Sequence, residues 1–294
     1  AAGVSVPALA QQAVRTESQT QMSSDPELVY VNNYSSTAQR SQNFNSNWKF
    51  YFGDAGNAQG ATFDDSKWEQ VSLPHDYSIS QEYSKSMEAE SAYLGGGTGW
   101  YRKNFTLGSD TQGKRVRIDF DGVYMNATVW VNGHEVGTHP YGYTSFSFDI
   151  TDYVKYDGEN TIAVKVVNNT PSSGIYRDVD LTITDDVHVD LNGTKVTTPN
   201  LETEKGGTVN TNVTATVAND SDTAKSVTVR HTVFPKDGSA DQNIGTVTTD
   251  AQSIAAGETA EIRATVPVSN PELWSVDDPN LYRSTGRWTG NGYL

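Results

Sequence analysis

From about Asn43 onward the chain alternates apolar and polar residues in short runs. "RVRIDF" places Val116, Ile118 and Phe120 on one face of an extended segment, and "ATVWV" does the same with Ala127, Val129 and Val131. Side chains of a strand point to opposite faces with period 2, so each run predicts a strand with one buried face. Asn132-Gly133 follows at once, the dipeptide of a tight hairpin. "NTIAVKVV" repeats the pattern with Ile162, Val164 and Val166. No long stretch carries the 3.6-residue period of a helix. The run "SGIYRDVDLTI", Ser173 to Ile183, also reads as a strand, with Ile175, Val179, Leu181 and Ile183 on one face. Arg177 falls on that same face. A buried arginine requires a partner, so the pattern predicts that Arg177 is paired; a solvated strand end is the open alternative.

The spacing of strands and turns makes residues 43–185 an all-β sandwich of jelly-roll type. After Asp185 threonine and valine dominate. "TVNTNVTATVAND", "KSVTVRHTVF" and "AEIRATVPV" are strands between Gly/Asp/Asn turns, which predicts an immunoglobulin-like sandwich over 186–283. The final segment, "RSTGRWTGNGYL", has neither alternation nor caps. Residues 284–294 are therefore expected to be an irregular tail, with the last sandwich strand missing. At the other end "AAGVSVPALA" is small, apolar and uncharged and closes on Ala8-Leu9-Ala10, the A-x-A pattern of an export-signal cleavage site. Residues 1–42 are read as a signal remnant lacking its front, followed by a Ser/Gln/Thr/Asn-rich linker. A disordered N-terminal tail is the other reading.

Length and charge narrow the function classes. A chain of 294 residues suggests about two domains. Its net charge of −15 repels phosphate backbones, which argues against nucleic acid as a partner. There are no cysteines, so disulfides, thiolate metal sites and a cysteine nucleophile are excluded. No segment outside the N-terminus approaches the roughly 18 apolar residues of a membrane span. The export-signal pattern makes the expected location outside the cell, secreted or held at its surface.

No G-x-S-x-G, H-E-x-x-H or Walker motif occurs. The glycine-rich "LGGGTGW" precedes a strand rather than linking strand to helix, which argues for a tight loop and against a phosphate cradle. His75, His134, His139, His188 and His231 lack metal-ligand spacing; neither a metal nor another cofactor is expected. "LPHDYSI" stands out. Pro74 forces an extended entry, and His75 and Asp76 then share a loop with Tyr77. They can anchor the loop or bind a polyol. Trp100, Tyr101, Trp130, Tyr141 and Tyr143 either present flat faces to sugar C–H groups or fill cores and interfaces.

In order along the chain, "FNSNWKF", "FDDSKWEQVSLPHDYSI", "GTGWYRKNF", "FDGVYMNATVWVNGHEVGTHPYGYTSFSFDIT", "ENTIAVKVVN" and "SGIYRDVDL" resemble the N-terminal sugar-binding domain of glycoside hydrolase family 2. The similarity is to secreted bacterial β-galactosidases. The part closing on "NPELWSVDDPNLY" is similar to that family's immunoglobulin-like second domain. The resemblance implies a (β/α)8 barrel beyond these domains. That barrel would carry two catalytic glutamates roughly 5–5.5 Å apart in a retaining mechanism, the acid/base in an Asn-Glu dipeptide. No Asn-Glu occurs here, and the chain ends before any strand–helix alternation. The expectation is a non-catalytic front portion of an exported β-galactosidase, inactive alone. It would act on β-galactosides such as lactose only through the full enzyme, with the barrel as partner. A free-standing carbohydrate-binding module and a structural stalk are the alternatives. By resemblance His75 and Asp76 reach towards the galactose pocket. Arg177 and Asp178 lie where the first domain meets the rest of the enzyme, Arg177 bridging a carboxylate and carbonyls. Relatives carry an Arg-Trp-Tyr-rich loop before the Gly-Ile-Tyr-Arg run, where this chain has only Pro171 to Gly174.

Overall fold

The computed structural model describes residues 32–34, 40–87, 89, 93–168, 174–204, 206–239 and 242–289. Among them the strands form four sheets in two sandwiches. The first sandwich contains β1 (Asn32–Tyr34), β2 (Ser41–Asn43), β3 (Trp48–Phe52), β4 (Glu69–Val71), β5 (Gly97–Leu107), β6 (Arg115–Phe120), β7 (Ala127–Val131), β8 (His134–His139), β9 (Phe146–Asp149), β10 (Glu159–Asn168) and β11 (Val179–Thr184). One sheet runs β4-β3-β5-β10-β7-β8, with β1 parallel to β5, and the other runs β2-β11-β6-β9. The alternation explains the layering. Val116, Ile118 and Phe120 of β6, Ala127, Val129 and Val131 of β7, and Ile162, Val164 and Val166 of β10 are all buried. They meet Phe44, Trp48 and Phe105 in one continuous core. Asn132 and Gly133 take positive φ, 51° and 85°, and close the β7–β8 hairpin.

The second sandwich contains β12 (Val187–Thr197), β13 (Thr208–Asn219), β14 (Lys225–Pro235), β15 (Gly245–Thr248), β16 (Gln252–Ile254), β17 (Thr259–Ser269) and β18 (Tyr282–Thr289). One sheet is β12-β13-β17; in the other β14 pairs with β15 and β16 and with β18. Its core is built from valine rather than aromatic side chains. The two sandwiches meet through charged groups. Arg40 Nη2 donates to the Val189 carbonyl at 2.5 Å, Lys114 pairs with Asp185, and Arg115 Nε lies 3.5 Å from Asp220.

Two expectations about the ends are corrected. β1 and β2 lie inside the stretch expected to be a linker up to residue 42. Tyr34 explains the first of them. It is buried, with its ring 5.0 Å from that of Phe44 and 6.3 Å from that of Phe105. Three residues, two of them asparagine, are too short a strand to show a period. The expected irregular tail is a strand as far as Thr289, pairing with β14 from Pro235↔Tyr282 to Thr228↔Thr289. Ser284 and Gly286 occupy half-buried positions of it, and backbone pairing with β14 defines the strand. Residues 1–31 and 290–294, with the export-signal call, lie outside the described residues, as do Pro171–Ser173.

Strand β5 carries two buried basic side chains on opposite faces. Arg102, 1% exposed, faces outwards under the 53–68 segment. Its Nε donates to Asp65 at 2.8 Å, its Nη1 donates to the Gly60 carbonyl at 3.0 Å and to the Ala58 carbonyl, and its guanidinium lies 5.4 Å from the Phe63 ring. Lys103, 2% exposed, faces the core. Its Nζ donates to the Phe44 carbonyl at 2.8 Å and the Tyr34 hydroxyl at 3.0 Å, and lies 3.7 Å from the Phe44 ring centre. Burial drives the Lys103 pKa down to about 6.

Candidate functional site

The loop of His75 and Asp76 is held from several sides. Leu73 N–H donates to the Asn45 carbonyl at 2.9 Å, and His75 N–H to the Ile175 carbonyl at 2.8 Å. The Tyr101 hydroxyl is 2.8 Å from His75 Nδ1 and donates to the His75 carbonyl at 3.3 Å. The imidazole also sits 4.8 Å from the Phe50 ring. Burial pushes the His75 pKa below the ordinary histidine value, outweighing the upward pull of Glu69 and Asp76. Asp76 is extended, with φ −110° and ψ 106°, and caps the short 3₁₀ turn Tyr77–Ser80. Its Oδ1 accepts from Ser78 N–H at 2.9 Å and from Ser78 Oγ at 2.6 Å. Tyr77 anchors the turn to the sheet: its ring stacks on Phe50 at 5.3 Å and its hydroxyl donates to the Gly97 carbonyl at 3.0 Å. The glycines of "LGGGTGW" serve this packing. A Cβ at Gly99 would lie 2.7 Å from the Tyr77 ring and 3.0 Å from that of Phe50.

Gly174 closes the same end of the sandwich. It exchanges backbone hydrogen bonds with Tyr124, at 2.9 and 3.0 Å. Its φ of +127° is unfavourable for any residue with a side chain. A Cβ there would collide with the Tyr101 hydroxyl and the His75 carbonyl. Beside it stand four tyrosines. The Tyr143 ring meets those of Tyr124 and Tyr141 edge-on at 5.3 and 5.7 Å, and the Tyr176 hydroxyl donates to the Gly142 carbonyl at 2.8 Å. A hydrogen bond with Tyr124 holds the Tyr143 phenol pKa above its ordinary value. Tyr141 and Tyr143 are 55% and 61% exposed. Of the other aromatic candidates, Trp130 is half-buried, and Tyr101 and Trp100 are enclosed. Tyr101 belongs to the core, and Trp100 is buried with its ring stacked on Trp130 at 5.4 Å.

Arg177 is exposed, which corrects the expectation of a buried, bridging arginine. The strand begins only at Val179. Gly174 is a bridge residue and the chain bends at Arg177, so the period-2 parity that joined Ile175 to Val179 does not apply between them. The guanidinium lies 5.1 Å from the Tyr176 ring. Asp178 is exposed too, and its Oδ1 accepts from Asn45 Nδ2 at 2.8 Å. Asn45 Oδ1 in turn accepts from Val179 N–H at 2.8 Å. Asn45 thus ties the Leu73 loop to the Asp178 corner, a role the sequence did not signal because Asn45 sits in an unremarkable polar turn. The junction between the two sandwiches uses Arg40, Lys114 and Arg115 and neither Arg177 nor Asp178.

A jelly roll with a tied His-Asp loop and exposed tyrosines at one end, followed by a valine-cored sandwich, is the context for comparison. Residues 41–195 match the family profile "Glycosyl hydrolases family 2, sugar binding domain", and residues 187–292 match "Glycosyl hydrolases family 2". The chain belongs to glycosyl hydrolase family 2. Among its relatives is a β-galactosidase of Bacteroides ovatus, BoGH2A, 39% identical over 248 residues, covering 81% of this chain and 28% of the relative. A putative β-glucuronidase of Formosa agariphila is 34% identical over 261 residues, covering 85% and 24%. A family 2 structure from Bacteroides cellulosilyticus superposes with a TM-score of 0.78 at 36% identity, covering 86% of this chain and 35% of that one. The chain thus spans roughly a quarter to a third of the length of these family 2 proteins. No helix among the described residues is long and apolar enough to cross a membrane.

Proposed function

We propose that this chain serves as the N-terminal, non-catalytic part of an exported family 2 β-galactosidase, acting on terminal β-galactosides such as lactose. It supports the (β/α)8 catalytic domain of its family and lends the His75–Asp76 loop to the substrate pocket. The observation that carries this reading is the match of both sandwiches, in order, to the front of family 2 enzymes, one of them a β-galactosidase. The loop's rigidity supports the pocket role: a residue used for positioning needs a side chain locked by its surroundings. Asp76 would accept hydrogen bonds from sugar hydroxyls, each worth about 1.5–3 kcal/mol when one partner is charged. Arg177 and Asp178, exposed at the same end, would face the catalytic domain.

The test is Asp76→Ala in this chain and at the matching position of a full-length β-galactosidase relative. Loss of the cap should cost the isolated chain about 1 kcal/mol. The enzyme, once folded, should lose about ten- to a hundredfold in kcat/KM. Unchanged kcat/KM would remove Asp76 from the pocket and leave it a loop staple. The exposed pair Tyr141 and Tyr143 supports a second reading, a carbohydrate-binding module. Calorimetric binding of galactose oligosaccharides by this chain alone, abolished by Tyr143→Ala, would favour that reading.

A further inference from the structure

The core of the second sandwich is split. One apolar cluster gathers around Val217, Val229 and Ile262, and a separate one around Val233, Val266 and Val268. On the inward face of β14, His231 stands between Val229 and Val233. It is 1% exposed, and neither ring nitrogen has a hydrogen-bond partner among the described residues. A neutral imidazole carries one donor and one acceptor, so both are buried unsatisfied, an arrangement native proteins rarely tolerate without a use.

Among the described residues, the positions packed around His231 carry no charge. Directly opposite it lie Val247 of β15 and Gly286 of β18. The buried positions of β13 in this layer are Thr211 and Val213, and those of β17 are Ile262, Val266 and Val268. β16 contributes Ile254. The charged groups of these strands sit on exposed positions: Lys225 and Arg230 of β14, Arg283 and Arg287 of β18, and Glu261 and Arg263 of β17. His188, the other histidine of this sandwich, is placed differently. Its Nδ1 lies 3.0 Å from the Asp185 carbonyl and 3.9 Å from the Asp220 carboxylate.

We propose that His231 is a proton-operated release for the second sandwich: when the imidazole takes up a proton the β13–β14 core opens, and the domain loosens as the medium acidifies. The sign follows from linkage. Burial holds the His231 pKa below the ordinary value, so the open chain binds the proton first. Between an ordinary histidine value near 6.5 and the lower folded value, the opening equilibrium rises about tenfold for each unit of falling pH. Above that window the sandwich is fully stable, and below it the effect levels off. An unpaired charge in an apolar layer has no alternative but to reach water.

Hydrogen exchange read by mass spectrometry on the whole chain, from pH 7.5 to 5 and corrected for intrinsic exchange, tests this. Peptides covering 208–235 should show opening that grows about tenfold per unit below pH 6.5, and His231→Val should abolish that growth while exchange in peptides covering 127–131 stays the same in both chains at each pH. The same growth in His231→Val, or no growth in the native chain, overturns the proposal. Should the variant fail to fold, the native chain with labelled histidine decides by NMR titration: a midpoint below the ordinary histidine value near 6.5 is expected, and one at about 6.5 or above overturns it.

Discussion

Replacing Arg102 with methionine keeps an unbranched stem under the 53–68 segment but removes the guanidinium. Three hydrogen bonds disappear, to Asp65 and to the carbonyls of Ala58 and Gly60. Asp65, whose side chain is 13% exposed, keeps only its ion pair with Lys49 at 2.5 Å. Breaking one side of a buried pair costs about 3–5 kcal/mol, because the remaining charge is left uncompensated. The Lys49 contact softens that, while two carbonyls left unpaired add to it at about 1–3 kcal/mol each unless the segment lifts to hydrate them. The balance is a loss of about 3–5 kcal/mol, with the segment opening to solvent. Denaturant unfolding gives the stability, and limited proteolysis within 53–68 reports the opening. The partner substitution sharpens the test. Arg102→Met combined with Asp65→Leu removes both charges, and replacing a whole buried pair by apolar groups is often nearly neutral. The double variant should therefore recover a large part of the loss, with Lys49, 31% exposed at its side chain, returning to water. A single-variant loss under about 1 kcal/mol, or a double variant no better than the single, would falsify the view that this pair pins the segment.

Lys103→Met should raise stability at pH 7 by about 1–4 kcal/mol, since Lys103, neutral in the folded chain at that pH, must give up a proton on folding, and an apolar side chain of similar length removes that cost at the expense of two hydrogen bonds. The depressed pKa of about 6 means that the unfolded chain binds a proton the folded chain lacks between about pH 6 and 10. Native stability should thus fall as pH drops from 9 to 6, and the variant should flatten that slope in parallel urea titrations. Arg177→Ala, at an exposed position beside Tyr176, should change the stability of this chain by less than about 0.5 kcal/mol in denaturant unfolding; a loss of several kcal/mol would restore the buried, bridging role.

The strands around Val116, Val129 and Val164 were legible in the sequence because each has one wet and one dry face, and period 2 records that directly. The Asn132-Gly133 turn was legible because few other residues adopt its backbone. β1 and β18 were not, since one is held by Tyr34 and the other by pairing with β14, and neither contact leaves a repeating local mark. The arginine that is buried is Arg102, not Arg177. The alternation in "GWYRKNF" and in "SGIYRDVDL" looks alike on paper. The difference is a segment folding over the outer face of β5, and a bend after Gly174 that breaks the parity of the other run. His75 and Asp76 could be singled out by their loop, but what holds them comes from Asn45, Tyr101, Gly174 and Ile175, distant along the chain. Local pattern determines which residues prefer the inside of a strand. Which charges are enclosed, and which loops are tied together, depends on contacts between segments distant along the chain, and only the packed structure brings those into being.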